Sequence, residues 1–319
     1  MDASDEDVVI LDGGLATELE RRGLDLRDPL WSAKVLVEAP GEIEAVHYDY
    51  FLAGADVGTS SSYQATFEGF AGRGIGRRES ENLLRRSVDL VRQARERFWR
   101  EPANRAGRMF PLVAASLGCY GASLHDGSEY SGNYGLSREE LMDFHRPRLR
   151  VLADSGADLL AFETIPSKLE AEAVVALLEE LEDAPPAWIS FSCRNETEVC
   201  HGEPLAECFG SLGASEPVLA VGINCTAPRF VSSLLASVRG ATEKRIAVYP
   251  NTGEIWDARS QSWTPGESTA AIEDFAPEWR RRGARLIGGC CRTTPGTIRN
   301  LRALFSGQQV ITNHAPDGS

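Results

Sequence analysis

Short apolar runs rich in Val, Ile, Leu and Ala recur along the chain, alternating with longer stretches in which apolar residues repeat at helical spacing. A strand buried on both faces reads as an unbroken apolar run, and strands alternating with helices assemble parallel sheets from successive βα units. The runs are VVILDGG (8–14), ADVGTSSS (55–62), PLVAASLG (111–118), ADLLAFETI (157–165), AWISFSC (187–193), VLAVGINC (218–225), RIAVYPN (245–251) and ARLIGGCC (284–291). Between them, 169–182 carries Leu169, Ala173, Leu177 and Leu181 at every fourth position with Glu opposite. The stretch 231–238 carries Val231, Leu234, Leu235 and Val238, so each segment shows one apolar stripe. Gly54, Gly156 and Gly283 precede the second, fourth and eighth runs, where a helix C-terminus calls for a residue tolerant of positive φ. Pro147 falls inside a helical stretch and is expected to kink it.

Eight strand-helix units within 319 residues, without a linker or a break in composition, predict one (β/α)8 TIM barrel over 1–319 rather than two doubly wound domains. The stretch 306–319 (SGQQVITNHAPDGS) is expected to be a disordered tail. In such a barrel the chemistry gathers where strands end and βα loops begin. Those ends read Asp12-Gly13-Gly14, Ser60-Ser61-Ser62-Tyr63, Gly118-Cys119-Tyr120, Glu163-Thr164, Ser192-Cys193, Asn224-Cys225, Asn251 and Cys290-Cys291.

Charge narrows the partners. Lys+Arg 33 against Asp+Glu 47 gives a net charge of −14, which leaves no basic stripe for nucleic acid or an anionic membrane. The start, MDASDEDVVI, has no basic segment followed by an apolar run, and no apolar stretch reaches membrane-spanning length, so a soluble cytoplasmic protein is expected. Seven cysteines make an odd number with no secretion signal, which argues for reduced thiols rather than a disulfide framework.

Those thiols are the first candidate chemistry. Cys290 and Cys291 are adjacent at the end of the eighth run, where strand alternation would aim them apart. They can face one metal only if the strand stops and the chain turns, a freedom offered by Gly288, Gly289 and Pro295. Cys225 ends the sixth run on the same predicted rim. Three thiolates with an open fourth position suit a catalytic Zn²⁺, and the opening would take a substrate thiol. Any one of these cysteines taken alone reads more readily as a small buried residue, and it is the adjacent pair with a third at another strand end that shifts the balance. Cys119, Cys193, Cys200 and Cys208 are read that way, and His201 as a solvated histidine in a polar loop.

A zwitterionic amino acid needs a carboxylate for its ammonium and N–H donors for its own carboxylate. Asp12 and Glu163 offer the first, and the backbone around Gly13 and Gly14 the second, although a helix cap and a rim salt bridge explain the two acids as well. A cationic sulfonium donor would be drawn to aromatic faces, for which Trp31, Tyr63, Tyr130 and Tyr134 are candidates. Tyr130 and Tyr134 lie in GSEYSGNYG (127–135), a loop long enough to act as a lid.

Taken in order, LDGGLATELERRG, DPLWSA, SSYQATFEGF, GSEYSGNYG, DLLAFETIP, VGINCTAPRF, YPNTGEIWD and LIGGCCRTTP resemble the homocysteine S-methyltransferase family over nearly the whole chain, and the plant-type branch in particular. The resemblance implies a (β/α)8 barrel with Zn²⁺ on Cys225, Cys290 and Cys291. It implies recognition of the homocysteine amino group at Asp12 and Glu163, and donor contacts at Trp31 and Tyr63; Asn224, at the end of the sixth run, is a further substrate-binding candidate. It further implies methyl transfer from S-methyl-L-methionine, or S-adenosylmethionine, to L-homocysteine. The chain lacks the C-terminal segment of tetrameric betaine-using relatives, so a monomer or small homo-oligomer is expected. Selenocysteine as acceptor, and a non-catalytic redox or zinc-binding barrel, remain alternatives.

Overall fold

Alternation within the apolar runs divides their side chains between two cores. The structure, a computed structural model, describes residues 7–26, 32–257, 262–264 and 271–306. Its strands are β1 (Val9–Ile10), β2 (Val57–Thr59), β3 (Leu112–Gly118), β4 (Leu159–Ile165), β5 (Ala187–Phe191), β6 (Val218–Asn224), β7 (Arg245–Tyr249), β8 (Ile255–Asp257), β9 (Ser262–Thr264) and β10 (Ala284–Ile287). Eight form one parallel sheet in the order β1-β10-β7-β6-β5-β4-β3-β2. A parallel bridge from Leu11 to Val57 joins its two edges, so the sheet closes into the expected (β/α)8 barrel.

Along β4, Leu159 and Ala161 point into the barrel while Leu160 and Phe162 point out to the helices. The lumen is filled by Val9, Leu11, Val57, Ala114, Leu159, Ala161, Trp188, Ala220, Ala247, Tyr249 and Leu286. This apolar plug leaves only the upper end of the barrel for polar chemistry. Trp188, fully buried, donates its indole N–H to the Tyr249 hydroxyl at 2.9 Å, and Tyr249 donates to Ser190 Oγ at 2.7 Å. The plug's one polar seam is therefore internally satisfied.

Each predicted run contains one barrel strand; in six of the eight the last residues leave the ladder for the site above, while β3 and β4 reach the ends of their runs. The antiparallel pair β8–β9 was not anticipated; it lies within the connection between β7 and β10. Gly54, Gly156 and Gly283 all have positive φ after helices, as their positions imply. The helix Arg138–Ala153 runs through Pro147. Residues 307–319, most of the expected tail, lie outside the described residues. Among the described residues no helix is long and apolar enough to cross a membrane.

The helix Lys168–Glu179 buries Ala173 and Leu177 of the predicted stripe but corrects its first position. Leu169 is exposed, while Glu170 is fully buried with Ala171, Val174, Leu177 and Leu178. A polar network accounts for the reversal. Glu170 accepts the Tyr120 backbone N–H at 2.6 Å and pairs with His145 Nε2 at 2.9 Å. Burial holds the His145 pKa below its ordinary value, so the ring is neutral and donates to the carboxylate. The cation beside them is Arg148, also buried, which donates to the Gly118 carbonyl at 2.7 Å and lies over the Phe144 ring. Replacing Glu170 by Ala is expected to cost about 3 to 5 kcal/mol, since it strands buried partners. Urea unfolding checks this, and Glu170→Gln is expected to lose less.

Candidate active site

The last barrel strand ends against the first. Gly289 N–H donates to the Asp12 carbonyl at 3.0 Å, and a Cβ at Gly288 would lie 2.6 Å from Leu11 Cβ. Only glycine lets the two backbones approach so closely. The chain then turns: the Cys290 carbonyl accepts Thr293 N–H at 3.2 Å, with Arg292 at φ 69° inside the turn. Thr293 is fully buried; its hydroxyl donates to Cys290 O at 2.6 Å and accepts Gly14 N–H at 3.1 Å. The turn brings both neighbouring thiols to one side, which strand alternation alone forbids.

Cys225 reaches the same point from β6 in a left-handed conformation, φ 48°, a strain typical of residues held for function. The three Sγ atoms lie within 4.8 Å of one another, with Cys225 and Cys291 at 3.7 Å. Hydrogen bonds from the Cys290 and Cys291 thiols hold the Cys225 pKa well below its ordinary value, and the Tyr130 hydroxyl, 3.2 Å from Cys225 Sγ, adds to this. Three convergent sulfur donors, one already favouring the thiolate, fit a borderline-soft divalent ion such as Zn²⁺.

Beside the thiols lies a cavity of about 560 Å³. Asp12, Glu20, Glu129 and Glu163 line it, and among the described residues no Lys or Arg does. The Asp12 carboxylate accepts Thr59 N–H at 2.7 Å and the Thr59 hydroxyl at 3.0 Å. Burial pushes its pKa up to about 8, with the Glu163 charge adding to the rise. Glu163 accepts the Ser116 hydroxyl at 2.5 Å, and burial raises it to about 7. Glu129 is likewise raised to about 7 by burial. Acids of this kind are held near neutrality until a cation arrives.

The remaining expected residues divide. Gly13, Gly14, Tyr63 and Tyr130 line the cavity with the acids and thiols, although the Gly14 N–H is already given to Thr293. Tyr63 is seated on Gly118, where a Cβ would fall 2.9 Å from its ring. Asn224 also lines the cavity, but both ends of its amide serve Thr164: Oδ1 accepts Thr164 N–H at 2.8 Å and Nδ2 donates to Thr164 Oγ1 at 2.9 Å. Thr164 sits at φ 60° where the β4–β5 register slips, so Asn224 holds that irregularity in place. Tyr134 is not among the lining residues; its ring packs edge-on to Tyr120. Trp31 lies outside the described residues. Cys119, Cys193, Cys200 and Cys208 are buried and do not join the thiol trio, and His201 is half-exposed and paired with Glu203 at 3.0 Å.

Sequence reasoning passed over Thr59, Ser116, Glu129 and Thr293. Thr59 and Ser116 were readable as strand-end hydroxyls, and Thr293 lies in the quoted GGCCRTTP. Glu129 was masked by the tyrosine that follows it. The loop holding it is pinned: Ser192 Oγ donates to the Glu129 carbonyl at 3.2 Å, and Gly132 N–H bonds Ser128 O at 2.9 Å.

Comparison with known proteins agrees with this geometry. The homocysteine S-methyltransferase family profile matches residues 9–305. Homocysteine S-methyltransferase 1 of Zea mays is 50% identical over 305 residues, covering 94% of each chain. Homocysteine S-methyltransferase YbgG of Bacillus subtilis is 47% identical, covering 93% of this chain and 94% of its own. The metallated form of the homocysteine methyltransferase MmuM from Escherichia coli superposes with a TM-score of 0.84 at 45% identity, over 93% of this chain and 96% of that one.

The thiol trio carries a direct expectation. Wild-type protein titrated with Zn²⁺ in a competition assay should bind it tightly, and Cys225→Ala should bind at least about 100-fold more weakly, beyond the 10–100-fold typical of losing an outer-shell partner. Unchanged affinity would remove the trio as a metal centre.

Proposed function

The chain belongs to the homocysteine S-methyltransferase family, and we propose that it transfers a methyl group from S-methyl-L-methionine to the sulfur of L-homocysteine, forming two molecules of L-methionine. The observation that carries this reading is the convergence of Cys225, Cys290 and Cys291 on one edge of a cavity walled by carboxylates. Zn²⁺ held by the three thiolates would supply the charge that lets the acceptor's sulfur lose its proton at neutral pH and act as nucleophile.

The chain's own residues do the rest. Asp12 and Glu163, close enough for the charge of one to act on the other, receive the homocysteine ammonium, and backbone beside Gly13 faces its carboxylate. Tyr63 presents an aromatic face to the donor's sulfonium, an attraction of about 0.5 to 2 kcal/mol. As the new S–CH₃ bond forms, the old one breaks and its electron pair stays on the departing sulfur. That product is a neutral thioether, so no group need protonate it. Catalysis then rests on holding two sulfurs and one methyl in line.

Parallel assays with S-methyl-L-methionine, S-adenosylmethionine and betaine as donors, and homocysteine or selenocysteine as acceptor, test the reading. Methionine from S-methyl-L-methionine and homocysteine should form fastest, and Cys290→Ser should abolish it; turnover surviving in a metal-free Cys290→Ser variant would overturn it. Glu163→Gln should raise the homocysteine KM about 10–100-fold, the worth of one hydrogen bond to a charged group.

The raised carboxylates give a pH signature. With Asp12 near 8 and Glu163 near 7, both are partly protonated at pH 7 in the free protein. An incoming ammonium favours their ionised forms, so binding should release protons and tighten as pH rises from about 6 to 8. L-Methionine, which has no thiol proton to lose, is the probe. Calorimetry in buffers of different ionisation enthalpy should show proton release, and proton uptake would contradict these roles.

A further inference from the structure

Arg292 occupies a position that would suit glycine. Its φ of 69° is a left-handed backbone that residues with a Cβ rarely adopt, and it comes directly after Cys291, inside the turn that brings the two neighbouring thiols to one side. A residue other than glycine stays in that conformation only where its surroundings hold it. An arginine kept there points to work done by its side chain.

Two contacts do the holding. Arg292 N–H donates to Thr17 Oγ1 at 2.8 Å, a buried hydroxyl on the helix Leu15–Arg21, and the guanidinium Nε donates to Glu254 Oε2 at 2.5 Å. Glu254 stands just before β8, in the connection that follows β7. It is set there by Gly253, at φ 93°, whose N–H donates to Asn251 Oδ1 at 2.9 Å. The same connection receives the Cys290 N–H on the Pro250 carbonyl at 2.8 Å. The cysteine turn is thus fastened to one segment both before its first thiol and after its second, and once more to the helix Leu15–Arg21.

From this geometry we infer that Arg292 is a positioning residue for the metal centre: with Glu254 and Thr17 it clamps the turn that presents Cys290 and Cys291, and the clamp sets how slowly a bound Zn²⁺ is lost. The inference rests on the reading of Cys225, Cys290 and Cys291 as metal ligands. Neither Arg292 nor Glu254 is among the residues lining the cavity, so the pair acts through the cysteines rather than on a substrate. A metal escapes when its ligands swing away, and two ligands carried by one turn swing together if that turn loosens. The side chains of Arg292 and Glu254 are 38% and 32% exposed, so salt screens the pair and its effect is modest.

The test times Zn²⁺ release to a chelator from zinc-loaded wild type, Arg292→Gly, Arg292→Lys, Glu254→Ala and the Arg292→Gly/Glu254→Ala double variant, with thermal unfolding of each metal-free protein alongside. Arg292→Gly relaxes the backbone while deleting the side chain, so it separates the two roles. It should release zinc about 10-fold faster, the low end for losing an outer-shell partner, while its metal-free form unfolds within about 3 °C of wild type, because relief of the left-handed conformation offsets the freedom glycine gives the unfolded chain. Arg292→Lys should fall between, and the double variant should be no faster than Arg292→Gly alone. Added salt should speed release from wild type and leave Arg292→Gly unchanged. Wild-type release from Arg292→Gly, a double variant whose effects simply multiply, or metal-free protein destabilised in step with zinc loss would overturn the inference. Wild-type protein that takes up no zinc would instead refute the reading of the trio on which it rests.

Discussion

The site depends on one close approach, that of the last barrel strand to the first. Gly288 and Gly289 press against Leu11 and Asp12, and Thr293 ties Cys290 to Gly14 across the same seam. Barrel closure and assembly of the sulfur cluster are thus one event. The turn that ends β10 lets adjacent thiols share a target, and Cys225, just past the end of β6 with only β7 between, meets them there. A larger residue at Gly288 would disturb both the ring and the cluster.

Above the apolar plug, the chemistry follows from charge and dryness. Among the described residues the cavity's lining carries carboxylates and no Lys or Arg, and burial raises Asp12, Glu129 and Glu163 toward neutrality. Such a cavity favours cationic or zwitterionic amino acids. The thiol trio supplies the opposite specialisation, a soft, sulfur-rich edge. The proposed methyl transfer between two sulfurs draws on both features, and it needs no separate acid or base because the leaving group is neutral.

Much of this was legible in the sequence, for identifiable reasons. Strands buried on both faces read as unbroken apolar runs, so all eight barrel strands and their order around the rim could be anticipated. Gly-Gly before Cys-Cys announced the turn. What escaped depended on partners far away in sequence. Leu169 looked like a core position because its periodicity was right, but the His145 and Tyr120 contacts draw Glu170 inward instead. Asn224 reads as a binding residue until Thr164, 60 positions away, is seen to occupy its amide. Glu129 reads as loop polarity until the fold sets it among the residues lining the cavity.

The central claim is that the cysteine trio leaves room for one more sulfur, that of the acceptor. X-ray absorption at the zinc edge of the zinc-loaded protein measures this directly. Three sulfur neighbours should be seen at about 2.3 Å before homocysteine is added, and four afterwards. A sulfur count that stays at three while homocysteine is bound and methylated would contradict the account.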